Sequence, residues 1–94
     1  MAPVSFALGR LLVTRGAIQS VPREKLVELI LRHSEGDWSE LDADDIRANE
    51  KALVSGDRIV SAYETSAGRV FVITESEDDD QKRQVTTVML SSEY

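Results

Sequence analysis

The sequence contains no cysteine among its 94 residues. Without cysteine the chain can form no disulfide framework, and it offers neither thiolate ligands for a zinc finger nor a thiol nucleophile. Its hydrophobic core alone must therefore stabilise the fold. The length allows one domain with a modest core, which we assign to residues 1–94.

Long apolar runs are also missing from the sequence. No stretch approaches the ~18 apolar residues of a membrane-spanning helix. The N-terminus lacks the basic region and apolar core of a secretory signal, so we expect a cytoplasmic protein without a membrane partner. Neither a Gly-x-Gly-x-x-Gly motif nor a Walker-type phosphate loop is present, and we expect no nucleotide cofactor.

Catalytic side chains are scarce, because the chain has a single histidine, His33. Ser34 is its neighbour, but adjacent helical residues point in different directions, so a serine–histidine dyad has little support. Asp42, Asp44 and Asp45 lack the glycine and the glutamate at the offsets that a calcium loop needs. The sequence therefore predicts no catalytic residue, no metal site and no cofactor.

Acidic residues are abundant but confined to two segments. The chain has 17 acidic and 11 basic residues, for a net charge of −6. Residues 35–50 hold seven acidic residues and one basic residue, and residues 75–80 hold five acidic residues and no basic one. Because nucleic-acid binding relies on Lys and Arg, this balance argues against direct nucleic-acid binding as the main function.

The pattern of apolar residues predicts an α+β fold. It indicates one strand, two helices and then a three-stranded antiparallel meander, with the helices packed on one face of the sheet. We expect the first helix to be well buried, with Val27 and Leu31 widening its apolar face. The place of the first strand in the sheet is left open. The predicted elements are residues 5–15, 22–33, 43–55, 58–65, 69–74 and 84–91.

Four residues near the helices receive structural roles. Gly36 is expected to turn the chain, and Asp42 to cap the second helix. Asn49 lies on that helix's apolar side and is expected to bind the turn backbone around Gly36. We expect His33 to be partly buried at the end of the first helix, where a positive charge would interact well with the helix dipole.

Trp38 lies in a polar turn between the helices, and two interpretations remain for it. A tryptophan so placed folds back as a lid on the core, or it stays exposed as an anchor for a protein partner, since tryptophan is enriched at interface hot spots.

Several segments resemble a group of short proteins from plasmids and other mobile elements that often carry the label "type I restriction endonuclease subunit M". The resemblance covers about residues 30–94. The segments that carry it are Arg32-His-Ser-Glu-Gly-Asp-Trp-Ser-Glu-Leu41, Asp44, Asn49, Ser61-Ala-Tyr63, Val72-Ile-Thr74-Glu75 and Thr86-Thr-Val-Met-Leu-Ser-Ser-Glu-Tyr94.

The resemblance implies a mobile-element setting rather than methyltransferase activity, because the chain has no glycine-rich cofactor loop. Small acidic proteins in that setting often block host defences. The sequence thus predicts a non-enzymatic protein-binding module, an anti-restriction or anti-CRISPR inhibitor of a bacterial nucleoprotein complex. The predicted contact residues are Asp37, Trp38, Glu40, Asp44, Glu75, Glu77, Asp78, Asp79 and Asp80.

Besides an enzyme that uses His33 and nearby acidic residues, two other hypotheses remain from the sequence. The first is a small regulatory protein that binds nucleic acid through the N-terminal bases Arg10, Arg15, Arg23, Lys25 and Arg32. The second is a self-associating structural protein, a homodimer that pairs through the last strand, residues 85–90.

Overall fold

A computed structural model describes residues 6–94; Ser5, where the first strand was predicted to begin, and the N-terminal residues before it lie outside the described part. The α+β class is confirmed. The elements in chain order are β1 (Arg10–Val13), α1 (Arg15–Ser20), α2 (Arg23–Ser34), α3 (Ala43–Ser55), β2 (Ile59–Thr65), β3 (Gly68–Thr74) and β4 (Val85–Leu90), followed by a 3₁₀ turn at Ser91–Glu93.

The four strands form one mixed sheet in the order β1-β4-β3-β2. The predicted antiparallel meander of β2, β3 and β4 is confirmed. β1, whose place was left open, runs parallel to β4, with Arg10 N donating to Gln84 O at 2.8 Å and Thr14 N to Val88 O at 3.0 Å. Since β4 is paired on both sides, the hypothesis that residues 85–90 offer a free edge is wrong. The edge strands are β1 and β2.

The helix α1 was missed by the sequence interpretation, which extended the first strand to residue 15. The β-branched residues before it favoured a continued strand. In the structure Thr14 ends the extended backbone instead, because its hydroxyl accepts a hydrogen bond from Ala17 N at 3.3 Å and so caps the helix.

The bounds of α3 match the prediction. Asp42 caps its N-terminus by accepting from Asp45 N at 2.9 Å, as expected. Gly56 ends the helix with a φ of 84°, a left-handed conformation that glycine adopts without strain.

Two clusters of buried side chains lie between the helices and one face of the sheet. The larger cluster joins α1 and α2 to the sheet through Ala17, Leu29, Val72, Val88 and their neighbours, and the smaller one surrounds Trp38, Ala52 and Ile59. The expected burial of Val27 and Leu31 is wrong, since their exposed fractions are 50% and 54%. A helix on one face of a sheet buries only one side, and Leu29 occupies that side.

Candidate protein-binding surface

Two of the predicted contact acids, Asp37 and Glu40, are held by a cation of the chain itself. Arg32 Nε donates to Asp37 Oδ2 at 2.7 Å, and Arg32 Nη2 donates to Glu40 Oε2 at 2.9 Å. The Arg32 guanidinium also lies 4.4 Å from the centre of the Tyr63 ring. The hydrogen bond from Arg32 is the main cause that lowers the pKa of Asp37 to about 2. Arg32 therefore engages both carboxylates, and its single positive charge offsets about half of their negative charge.

The same two residues also fasten the loop before α3 to the edge of β2. The second carboxylate oxygen of Glu40 accepts from Glu64 N at 2.8 Å, and this bond is the main cause of the lowered pKa of Glu40. Tyr63 Oη donates to the backbone oxygen of Asp37 at 2.8 Å. Burial raises the pKa of Tyr63 to about 12, so the phenol stays protonated as a donor. Both acids thus have structural roles in this cluster.

Trp38 lies in the smaller core cluster with an exposed fraction of 6%. The lid interpretation is therefore right, and the exposed anchor is wrong. Its indole Nε1 has no hydrogen-bond partner among residues 6–94. Gly36 makes the predicted turn, with a φ of 72° and its N–H donating to His33 O at 3.0 Å.

His33 lies in the last turn of α2, as expected, but it is fully rather than partly buried and is held between β2 and β3. Its Nδ1 lies 2.5 Å from Ser61 Oγ, and its Nε2 lies 2.7 Å from Thr74 Oγ1. Burial lowers the pKa of His33 to about 4. The imidazole is thus neutral at pH 7, and the expected charge–dipole interaction is wrong, because burial disfavours the charged form.

The tautomer of His33 follows from the hydroxyl groups next to it. Thr86 Oγ1 donates its proton to Leu8 O at 2.7 Å, so the proton in the 2.7 Å contact between Thr74 and Thr86 comes from Thr74. Thr74 Oγ1 must then accept from His33 Nε2–H, and the bare Nδ1 accepts from Ser61. Every hydroxyl group in this series of hydrogen bonds has a partner, so the series is a structural network. Ser34 is not part of it, since its Oγ donates to Leu31 O.

Asn49 is a structural clamp, but on a different partner from the one expected. Its Nδ2 donates to Val60 O at 2.8 Å, and its Oδ1 accepts from Val60 N at 3.1 Å. The expected contact with the turn around Gly36 is therefore wrong. The side chain pairs with β2 as a neighbouring strand would, and so it covers part of that strand's outer edge.

The acidic loop between β3 and β4, residues 75–80, is ordered by two residues. Asp78 Oδ1 accepts from Asp80 N and Lys82 N at 2.9 and 3.0 Å, and its Oδ2 accepts from Gln84 Nε2 at 2.6 Å. These bonds lower the pKa of Asp78, the bond from Lys82 N most of all. Asp78 therefore shapes the loop.

Arg83 is the second of these residues, and sequence reasoning missed it. It is 7% exposed and donates to three backbone oxygens, those of Ala52, Asp57 and Glu75, at 3.0, 2.8 and 3.1 Å. The acidic loop is thereby fastened to the C-terminal end of α3, whose dipole favours a cation. A basic residue at the end of an acidic run was the only signal in the sequence.

The remaining predicted contact acids are exposed, but they do not form one surface. No ion pair within residues 6–94 involves Glu75, Asp79 or Asp80, whereas Asp44 pairs with Arg47 on α3. Glu77 lies over Gly56, and its N–H donates to Gly56 O at 2.8 Å.

Asp44 and the acidic loop lie at opposite ends of α3. Asp44 belongs to the first turn of the helix, and Gly56, which the acidic loop contacts, follows its last residue. At 1.5 Å per residue, roughly 18 Å separates Asp44 from Gly56 along the helix axis.

Other kinds of site find little support in the described part of the chain. Residues 6–94 bring together no group of three side chains suited to hold a metal ion. None of their helices is long and apolar enough to cross a membrane. No protein family, curated protein or solved structure matches the chain.

Proposed function

We propose that the protein is a non-enzymatic, cytoplasmic protein-binding module, and that it acts as an anti-defence inhibitor of a bacterial nucleoprotein complex. The sequence resemblance to mobile-element proteins supports a mobile-element setting for the protein. The acidic loop supports the kind of partner, which is a protein with a cationic surface.

The observation that carries this proposal is the difference between the loop and the other predicted acids. Asp37 and Glu40 are both bound by Arg32, whereas the carboxylates of Glu75, Asp79 and Asp80 are exposed and take part in no ion pair among residues 6–94. The backbone beneath them is fastened by Asp78 and the buried Arg83. A preordered anionic loop loses little conformational freedom when a cationic partner binds it.

A restriction or CRISPR complex holds nucleic acid in a cationic channel, and the acidic loop would compete for such a surface. Long-range attraction between opposite charges accelerates association and weakens as salt increases. The inhibitor thus occupies the place of the nucleic-acid phosphates.

The proposal is tested by affinity capture from a bacterial lysate that contains both a restriction complex and a CRISPR complex, followed by mass spectrometry. We expect retention of one of these complexes at about 50 mM salt and its loss at about 500 mM salt. The triple variant Glu75→Gln, Asp79→Asn, Asp80→Asn should lose the complex at low salt as well.

The matched control removes three charges from the other acidic segment, through Asp44→Asn, Asp45→Asn and Glu50→Gln, and should retain the complex. Equal capture by the loop variant and the wild type would contradict the assignment of the loop. The absence of any defence complex at low salt would contradict the proposed function itself.

The nucleic-acid alternative rests on fewer bases than the sequence suggested. Arg32 is engaged by Asp37 and Glu40, and Lys25 pairs with Glu28 at 2.8 Å. A mobility-shift assay with DNA at about 50 mM salt discriminates this alternative, because phosphate binding is strongest at low salt. We expect no shift.

A further inference from the structure

The outer edge of β1 carries backbone groups that β4 does not use. Arg10 and Thr14 donate their N–H groups to β4, and backbone direction alternates along a strand, so Leu12 also faces β4. The N–H and C=O groups of Leu11 and Val13 therefore point outward. No hydrogen bond joins this outer side to another part of residues 6–94.

The side chains along this edge are unusually apolar for an exposed surface. Leu11 and Leu12 have exposed fractions of 45% and 46%, on opposite faces of the sheet, and Ile18 of α1 is 62% exposed. Ile18 and Val13 line one groove beside α2. Exposed edges with apolar side chains favour pairing with another strand.

We propose that β1 is a homodimer interface, in which β1 of a second copy pairs antiparallel with it across a two-fold axis. The two sheets then become one continuous eight-stranded sheet. The proposal does not depend on the acidic loop, and it replaces the last strand with β1 as the element that associates.

The outward backbone groups select one register for this pairing. When Leu11 lies opposite the partner's Val13, every outward N–H and C=O of these residues on both strands gains a hydrogen bond. The axis then passes beside Leu12, which faces the partner's Leu12 as a non-hydrogen-bonded pair. In such a pair the Cβ atoms lie about 5 Å apart, so the two half-exposed leucines cover each other.

The apolar side chains on the helix-bearing face match in the same register. Leu11 shares that face with Val13, because alternate residues of a strand share a face. The partner's Val13 lies opposite Leu11 in this register. The partner's Ile18 lines the same groove as the partner's Val13, so it comes next to Leu11. Ile18 of each copy therefore covers Leu11 of the other copy.

A charge match in this register favours a second copy of this chain over an unrelated strand. Arg10 takes part in no ion pair within residues 6–94. Glu93 is bound by Thr14 Oγ1 at 2.6 Å, Gly16 N at 3.1 Å and Leu90 N at 2.8 Å, all uncharged donors. In this register Arg10 lies opposite the partner's Thr14, and hence near the partner's Glu93.

The partner's Arg15, which follows the partner's Thr14 in the sequence, brings a like charge near this contact and limits the gain from each ion pair. The backbone hydrogen bonds and the leucines are therefore the main source of affinity. An interface of one short strand and a few side chains is small, and we expect a dissociation constant on the order of 10 μM.

The test introduces a single cysteine, which gives each chain one defined thiol because the sequence contains no other cysteine. In the variant Leu12→Cys the two thiols of the dimer face each other at a spacing that a disulfide spans. The matched control is Val54→Cys on α3, since Val54 is 91% exposed and lies outside the proposed interface. Both variants are oxidised at about 50 μM protein, above the expected dissociation constant.

We expect the Leu12→Cys chain to form a covalent dimer at least tenfold faster than the Val54→Cys chain. Sedimentation velocity of the wild type from about 1 to 200 μM should show a shift from monomer to dimer. In the same assay Leu12→Glu should stay monomeric, and Glu93→Gln should weaken the dimer several-fold.

Equal rates of disulfide formation in the two cysteine variants would overturn the interface, even if sedimentation shows a dimer. A wild type that is monomeric at 200 μM would overturn the proposal altogether. The triple acidic-loop variant should dimerise as the wild type does, so a failure of the dimer and a failure of the proposed function are distinguishable.

Discussion

The two edges of the sheet differ in whether side chains of the protein cover their outward backbone groups. The outer side of β2 is covered by side chains, with Asn49 binding both backbone groups of Val60 and Glu40 accepting from Glu64 N. The outer side of β1 has no such cover within residues 6–94, and Leu11 and Leu12 next to it are half exposed. A fold that blocks one edge with dedicated polar side chains and leaves the other open directs strand pairing to the open one.

The largest expected effect on the free energy of unfolding comes from His33, which joins α2 to β2 and β3. Its pKa falls from 6.5 in the unfolded chain to about 4 in the folded one, so the folded state disfavours protonation. The stability that the neutral imidazole contributes is complete above pH 6.5 and is lost as the pH falls towards 4. The loss amounts to about 3 kcal/mol.

Urea unfolding between pH 7 and pH 4 measures this loss. The variant His33→Gln, which has no titratable group at this position, should be less stable at pH 7 but should lack the additional decline in this pH range. A wild type and a variant with the same pH dependence would show that His33 is not the group responsible.

The second prediction removes the clamp on β2 through Asn49→Ala. Val60 then loses both partners of its N–H and C=O groups, and the free energy of unfolding should fall by about 2 kcal/mol. Lys51→Ala on the same helix is the control, and its effect should stay within about 0.5 kcal/mol because Lys51 is exposed. An equal, small effect of both substitutions in urea unfolding would mean that water satisfies Val60 equally well.

A smaller effect is expected from Glu40→Ala, which removes the second cover of the β2 edge. The substitution deletes the acceptor for Glu64 N and one carboxylate partner of Arg32, at a cost of about 1 kcal/mol. Glu40→Gln retains an oxygen for Glu64 N and should recover part of the loss. If thermal unfolding gives the same midpoint for both variants, the backbone bond contributes nothing.

The smallest effect on the monomer is expected at β1. Leu12→Lys should change the free energy of unfolding by less than about 0.5 kcal/mol when measured below the dissociation constant, since the side chain is already half exposed. The comparison with Asn49→Ala is direct, because Leu12 lies in one edge strand and Asn49, on α3, covers the other. A loss as large as that of Asn49→Ala would mean that Leu12 supports the fold of the single chain.

Elements that depend on local signals were predicted well from the sequence. The capping aspartate and the terminal glycine define α3, and β-branched residues define β3. The helix α1 was missed because Thr14 is equally suited to a strand and to a helix cap. The parallel pairing of β1 with β4 joins residues more than 70 positions apart, which no local pattern encodes.

The candidate site was predicted only in part, for a similar reason. An acidic residue in the sequence does not reveal whether a distant arginine binds it, and Arg32 engages two of the nine predicted contact residues. Trp38 and His33 show the same limit, since their burial depends on strands that lie far away in the sequence. Arg83 was overlooked because its partners are backbone oxygens, which leave no mark in the sequence.

Amide hydrogen exchange at the two edges tests the central contrast most directly. The N–H groups of Val60 and Glu64 should be protected equally at about 1 μM and about 200 μM protein, because their acceptors belong to the same chain. The N–H groups of Leu11 and Val13 should exchange fast at the low concentration and become protected at the high one. Protection of Leu11 and Val13 that does not change with concentration would contradict an open β1 edge.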